Sequence, residues 1–434
     1  MSTDLTALFF TVNPCDPLAT DAQGRLDFWN NNRALLSTHG LDLYELSLVG
    51  SGTNFIDCWP SQYPMAGGTY PFAHCEDISQ HAEWGLLEPF STTTRGGVIF
   101  ANDRGNRPVA LKLVENNSCE HIILKLIMDV QDCDGYIPGI VPVLNLIPIA
   151  GHWIVVMPRW ECGPSEGWFF SVRELLFCFE QLLCGLVFLH SRRIVHRDLH
   201  SRNCLANFFP TSPNNIEYSD AANPLQKLQA SHTLRYGWID FGYSIPLPPQ
   251  TDLETCRLHR RESFFGAWEV PSDTLTGKST YNPFAFDVGT LGLYFCSISQ
   301  HLTPQIPLLA PFLDMMITRK VHSRFTADAA LEFLRFIQSS LTKEELMRPC
   351  ELPPYTEYSA ERYDRWQGLP RDFVEEWGHM REPELPLWLR CVRWVLERYD
   401  AVADLVVICR RGLDRIRDKS RILLYNNILS STAF

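Results

Sequence analysis

The segment IVHRDLHSRNCLANFF, from Ile194 to Phe209, gathers His196, Arg197, Asp198 and Asn203 just after the apolar run ELLFCFEQLLCGLVFLH. Such a loop has two chemistries open to it. A carboxylate at Asp198 can be held against a substrate hydroxyl, and the amide oxygen of Asn203 can be held against a metal ion. The plain alternative is a polar surface loop. Which holds depends on whether other reactive side chains occur in a compatible order, and on the elements that present them.

From Trp84 onward the runs EWGLLEPF, GGVIFAND and RPVALKLV are short and β-rich, and DRGNRP between the last two is a hairpin signal. SCEHIILKLIMDV then places apolar residues at helical spacing, with Ile122, Ile123, Leu126 and Ile127 expected on one face. VPVLNLIPIAG and HWIVVMPRW read as two further strands. The spacing predicts a small sheet of about five strands with one helix after the third. Past ECGPSEGW, helical patterns dominate in SVRELLFCFEQLLCGLVFLH, AFDVGTLGLYFCSISQHL and TADAALEFLRFIQSSL. The polar stretch FPTSPNNIEYSDAANPLQKLQASHT reads as an insertion between them. The chain thus divides into an irregular N-terminal extension over 1–83, with one helix near Asn30–Thr38, a domain over 84–340 and a mostly helical extension over 341–434.

At 434 residues the chain can build two lobes and a large core. Its 45% apolar and 20% charged residues are those of an ordinary globular protein, and a formal charge of -12 argues against a nucleic-acid binder. The 14 cysteines contain no C-x-x-C pair, which gives no zinc site and suits reduced thiols in cytoplasm or nucleus. The opening MSTDLTALFF lacks a signal-peptide pattern, and no run is long enough to span a membrane, so an intracellular protein without membrane partners is expected.

In sequence order, VALK supplies Lys112, SCEHIIL supplies Glu120, HRDLHSRN supplies Arg197, Asp198 and Asn203, and IDFG supplies Asp240. This series resembles the eukaryotic-type protein kinase domain over roughly 84–340, and the segment QHLTPQIPLLAPFLDMM is similar to uncharacterised kinase-like proteins of fungi. The resemblance implies a bilobal α+β kinase-like fold, with a small N-lobe sheet and helix over 84–160 and a mainly helical C-lobe over 161–340. ATP and Mg²⁺ are the implied ligands, and a protein hydroxyl (Ser/Thr or Tyr) the acceptor. It also implies the roles. Lys112 and Glu120 position phosphates, Asp198 serves the nucleophile, and Asn203 and Asp240 hold metal. Val98, Ala110 and Leu205 would sandwich the base, with Met157 as gatekeeper and Pro158 to Trp160 as hinge. Anchors are implied too: Glu269 in GAWEVP would pair with Arg324, and Asp287 would bind the catalytic-loop backbone. Arg197 could meet a phosphate on Thr251, Thr255 or Ser263, unless Glu254 or Glu262 already fills that role.

The sequence departs from the family pattern in three places. STTTRGGV leaves Ser91 and Thr93 where the family has glycines and keeps only Gly96, which favours a pseudokinase acting as a binding module as the rival reading. His200 stands where a lysine is usual, and Arg202 has the spacing of tyrosine kinases. A small-molecule phosphotransferase ranks below both readings, since such enzymes typically carry H-G-D.

Overall fold

The computed structural model describes residues 21–50, 54–62, 68–75, 92–164, 168–209, 224–264, 270–274, 279–350, 360 and 363–383. Outside these residues lie the strand in EWGLLEPF, the site residue Ser91, the anchor Glu269, residues 210–223 of the insertion and the C-terminal run from 384 onward; the described end of the insertion forms a helix over Pro224–Ala230. The chain forms two compact units, one of residues 1–164 and 202–242, the other of 165–201 and 243–434.

In the first unit, strands β2 (Val98–Asn102) and β3 (Pro108–Glu115) form a hairpin. Its turn is built by Asp103, whose carboxylate accepts from the amides of Gly105 and Arg107 at 2.9 Å each, while Asn106 takes a left-handed φ of 56°. Strand β5 (His152–Pro158) pairs antiparallel with β3 and with β4 (Asn145–Ile149), and β1 (Asp42–Leu43) pairs with β2 at the other edge. The five-stranded order is β1-β2-β3-β5-β4.

Alternation along these strands sorts the sheet into two faces. Ile99, Ala101, Val109, Leu111, Leu113, Ile154 and Val156 are buried on one face. They pack on Leu26 and Trp29 of helix α1 (Ala22–Asn31), on Leu36 of α2 (Arg33–Thr38), and on Ile56 and Cys58. Each Val, Leu or Ile side chain among them, fully buried, stabilises by about 1.5–3 kcal/mol. Val98, Ala110 and Lys112 lie on the other face and are only partly buried. The N-terminal stretch is therefore not irregular over the described residues 21–75. The two helices and short strands there cover a sheet face that has no other apolar cover among the residues of its core. Arg33 fastens α2 to the edge strand by donating to the carbonyls of Leu43 at 2.7 Å and Tyr44 at 2.5 Å.

Helix α3 (Cys119–Asp134) begins at Ser118, whose hydroxyl accepts from the amide of His121 at 3.2 Å. It buries His121, Ile123, Leu124 and Ile127, whereas Ile122 is 48% exposed. The expected grouping of Ile122 with Ile123 is thus corrected. HIILKLI offers two overlapping apolar stripes, and the one buried includes residues 123, 124 and 127, which share a helix face with Glu120. A second sheet of this unit contains β6 (Cys204–Ala206) antiparallel to β7 (Tyr236–Trp238).

The second unit is mainly helical: α4 (Val172–Ser191), α5 (Pro283–Ser299), α6 (Leu309–Ile317) and α7 (Ala327–Ser340). Asn282 caps α5 by accepting from the amides of Phe284 at 2.9 Å and Ala285 at 3.0 Å, with Pro283 in the first turn. Phe179 of α4 stacks on Phe295 of α5, with ring centroids 3.7 Å apart. Part of the C-terminal extension is built into this unit. Asp314 of α6, 2% exposed, accepts from Arg365 Nε at 2.6 Å, Trp366 Nε1 at 2.8 Å and the Glu382 amide at 2.9 Å. Among the described residues no helix is long and apolar enough to cross a membrane.

Candidate active site

Lys112 sits in the middle of β3 on the partly buried face. Its Nζ lies 2.5 Å from Glu120 Oε1 and 2.8 Å from Asp240 Oδ1. Ser118 starts α3 so that Glu120 falls in its first turn, within reach of the strand. Burial pulls the Lys112 pKa down, but the two carboxylates outweigh it and hold the ammonium above the ordinary lysine value.

Asp240 stands two residues past the end of β7 and takes a left-handed φ of 65°, a conformation uncommon for a residue with a Cβ. The next glycine permits the close fit. A Cβ on Gly242 would come within 3.3 Å of Asp240 Oδ1 and 3.7 Å of Glu120 Oε2. Asn203 precedes β6 and is 6% exposed. The amide of Ile239 donates to the Asn203 carbonyl at 3.0 Å, which sets Asn203 and Asp240 side by side at one end of the β6–β7 ladder. An amide oxygen and a carboxylate are both hard donors, and they fit a Mg²⁺ ion that keeps water and phosphate oxygens as its other ligands. No group of three or more His, Cys, Asp or Glu side chains able to hold a metal by itself occurs among the described residues.

The described residues of the proposed nucleotide site all belong to the first unit. Val98 lies opposite Lys112, and Met157 opposite Ala110, in the sheet register. Met157, 8% exposed, and Pro158 end β5, and Leu205 lies in β6. Trp160 is 4% exposed, and its indole donates to the Pro71 carbonyl at 2.8 Å. Thr93 is on a short strand, Thr92–Thr94, that pairs with Ile56–Trp59, and its hydroxyl donates to Asp57 at 2.7 Å. Gly96 has φ 85°, its carbonyl accepts from the Trp29 indole at 2.8 Å, and a Cβ there would meet Ile56 Cδ1 at 2.9 Å. This turn is fastened to the N-terminal segment, a contact no local pattern announces.

In the second unit, Asp198 is 5% exposed, and its amide lies 3.3 Å from His196 Nδ1. The flanking backbone is pegged by Asp287, which is fully buried in α5. Asp287 accepts from the amides of His196 at 2.7 Å and Arg197 at 2.8 Å, and lies 3.1 Å from His190 Nε2. Arg197 has a left-handed φ of 70° and is 4% exposed. It donates to the Tyr243 carbonyl at 3.2 Å and to the Glu262 carbonyl. The main chain of Glu262, not its carboxylate, meets this guanidinium. Of the three candidate phosphate acceptors, Ser263 is 1% exposed, and Thr255 donates to Asp252 at 2.8 Å. The carbonyl of Thr251 accepts from Arg193 Nε at 2.8 Å.

Arg324, expected opposite Glu269, pairs with Asp273. It also donates to the carbonyls of Ala285 at 2.8 Å and Thr318 at 2.7 Å. Gly289 makes room for it, since a Cβ there would stand 2.7 Å from Arg324 Nη1. Asp273 escaped the sequence reading because PSDTLTG reads as an ordinary turn, and the only available signal was its closeness to GAWEVP. A neighbour of Asp198 also escaped it: His200 Nε2 lies 3.3 Å from Asp198 Oδ1.

Residues 90–222 match the family described as protein tyrosine and serine/threonine kinase. The matched stretch takes in Lys112, Glu120, Asp198 and Asn203 and ends before Asp240. It supports a eukaryotic-type kinase domain, a kinase-type function and, with the mixed sheet and helices described above, an α+β kinase-like fold.

Proposed function

We propose that the protein is an ATP-dependent protein kinase that transfers the γ-phosphoryl group to a protein hydroxyl. The observation that carries this reading is Lys112, held at 2.5 Å and 2.8 Å by two carboxylates on separate elements. A stability role explains that arrangement poorly, because collecting three charges in a partly buried site is expensive in desolvation. An ammonium aimed at phosphates explains it well. Lys112, fixed by Glu120, would bind the α- and β-phosphates, and Asn203 with Asp240 would hold Mg²⁺. Mg²⁺ supplies positive charge against the phosphate oxygens. Asp198 would accept the hydrogen bond of the acceptor hydroxyl and orient its lone pair for attack. The first compact unit would contain the N-lobe together with residues of the N-terminal extension and residues 202–242 of the expected C-lobe, and the second the rest of the C-lobe.

The second reading, a pseudokinase serving as a binding module, draws on the Thr92–Gly97 turn. Its strand pairs with the N-terminal segment, and Gly96 is packed against Ile56 and Arg25. Calorimetric titration with ATP and Mg²⁺, followed by transfer from γ-labelled ATP, separates the two. Binding with transfer supports the enzyme, and binding without transfer supports the pseudokinase.

A further inference from the structure

The candidate hinge, Pro158 to Trp160, offers a base very few main-chain donors. Pro158 carries no N–H. The Arg159 amide donates to the Pro108 carbonyl at 3.1 Å, and the antiparallel ladder with Ala206 and Leu205 begins only at Glu161. Of the three hinge residues, Trp160 alone keeps an amide that these contacts do not use. Its side chain is held from outside the hinge. Trp160 is 4% exposed and clusters with Ala73, Cys75 and Val141, and Leu205 and Ile239 pack against that cluster. The Trp160 indole donates to the Pro71 carbonyl at 2.8 Å. The segment that supplies this acceptor is itself fastened. Phe72 is buried in the core of the five-stranded sheet, with the Arg107 guanidinium 3.7 Å from its ring centroid. The His74 amide donates to the Asn207 carbonyl at 2.8 Å, and residues 74–75 pair in parallel with Phe208–Phe209.

We infer that the Trp160 side chain is a positioning group for the nucleotide base. Its indole bond to Pro71 fixes residue 160 and so sets the aim of the one hinge amide left to donate. This rests on the nucleotide-site reading of the hinge and deepens it, because the N-terminal segment then helps to set ATP affinity. Indole suits the task on physical grounds. It is a large rigid ring on two side-chain torsions with a single N–H donor, so one hydrogen bond and its packing determine its orientation. A donor fixed before the ligand arrives removes an ordering cost from binding. The effect belongs to nucleotide binding, and the groups that serve the transfer step, Asp198 and the metal-holding pair, are untouched by it.

The test uses the full chain with ATP and Mg²⁺. Trp160→Phe keeps an aromatic ring in the cluster and removes the N–H. It is expected to raise the calorimetric Kd for ATP by about 3- to 10-fold, the scale of one neutral hydrogen bond. With whichever acceptor the parent phosphorylates, KM for ATP should rise by the same factor while kcat stays within about twofold, the mark of lost uniform binding. Val141→Ala loosens the same cluster but leaves the indole bond in place. It should lower the urea midpoint and keep the Kd for ATP within about twofold. Parental Kd in Trp160→Phe, or an equal loss in Val141→Ala, overturns the inference. The bond itself is read in the parent by NMR of ¹⁵N-tryptophan protein, with Trp160 assigned by its absence in Trp160→Phe. Slow solvent exchange of its indole N–H is expected, and exchange as fast as that of an exposed indole overturns the tie whether or not the variant folds. A parent that binds ATP without transferring phosphate overturns the kinase reading alone, and the Kd ratio still decides the role of Trp160. A parent that does not bind ATP overturns both.

Discussion

Asp287→Asn is the most informative single change to the scaffold. The wild-type carboxylate is fully buried and accepts two backbone amides, from His196 and Arg197, with His190 Nε2 at 3.1 Å. Asparagine keeps the shape but turns one acceptor into a donor. Its oxygen is best placed where Oδ2 now receives His196, so the new NH₂ faces the Arg197 amide at the former Oδ1 position. One charge-assisted hydrogen bond worth about 1.5–3 kcal/mol is lost. A buried N–H left unsatisfied adds about 1–3 kcal/mol. These losses overlap, and a net destabilisation of about 3–4 kcal/mol follows. The assay is urea unfolding, followed by amide hydrogen exchange at His196 and Arg197. The unfolding midpoint should fall, and the Arg197 amide should lose more protection than the His196 amide. Unfolding at the parental midpoint with both amides still protected would refute the peg.

Other changes test separate parts of the structure. Arg324→Ala strands Asp273 and should cost about 3–5 kcal/mol in urea unfolding; melting like the parent would show that the buried pair carries no stability. Arg365→Ala should destabilise the second unit by a similar order, about 3 kcal/mol, because Asp314 is 2% exposed, and an unchanged midpoint would mean the C-terminal extension is dispensable. The Lys112 pKa is raised on folding, so its contribution is complete below the ordinary lysine value and is lost only as pH rises through the folded one. The stability gap between parent and Lys112→Met should therefore hold steady from about pH 7 to pH 10, and a gap that closes in that window contradicts the ion-pair assignment. Arg197 already bonds two carbonyls, so Thr251→Ala and Thr255→Ala should keep transfer within about twofold, whereas a large loss in either would restore a phosphate switch.

Much of the candidate site was legible because charged side chains on apolar or glycine-flanked segments are conspicuous. Lys112 interrupts a β-run and Asp240 stands near a strand end before Gly242, which made them conspicuous, and the resemblance to the kinase family then implied their roles toward phosphate and metal. The β2–β3 hairpin was readable from DRGNRP, whose Asp and Gly build the turn directly. What stayed hidden depends on contacts distant in sequence. Trp29 reaches the Gly96 carbonyl across 67 positions, and residues 21–75 cover a sheet face whose alternation says only that some cover is needed. Ile122 shows the limit of periodicity, since two apolar stripes on α3 compete and the position of Glu120 selects between them. For Arg324 the sequence announced a buried cation and named Glu269 as its partner, whereas the described partner is Asp273, a few residues further on.

The central claim is that this site transfers phosphate by means of Asp198. The direct measurement is transfer from γ-labelled ATP with Mg²⁺ by the parent and by Asp198→Asn, beside ATP binding to both by calorimetry. Asparagine keeps the shape at Asp198 but removes the anion that orients the acceptor hydroxyl. ATP binding should survive unchanged, while transfer falls by about 10²- to 10⁴-fold, as loss of a general base typically does. A parent that binds ATP feebly and shows no transfer that Asp198→Asn abolishes would contradict the account, and the fastened Thr92–Gly97 turn would then mark a binding module.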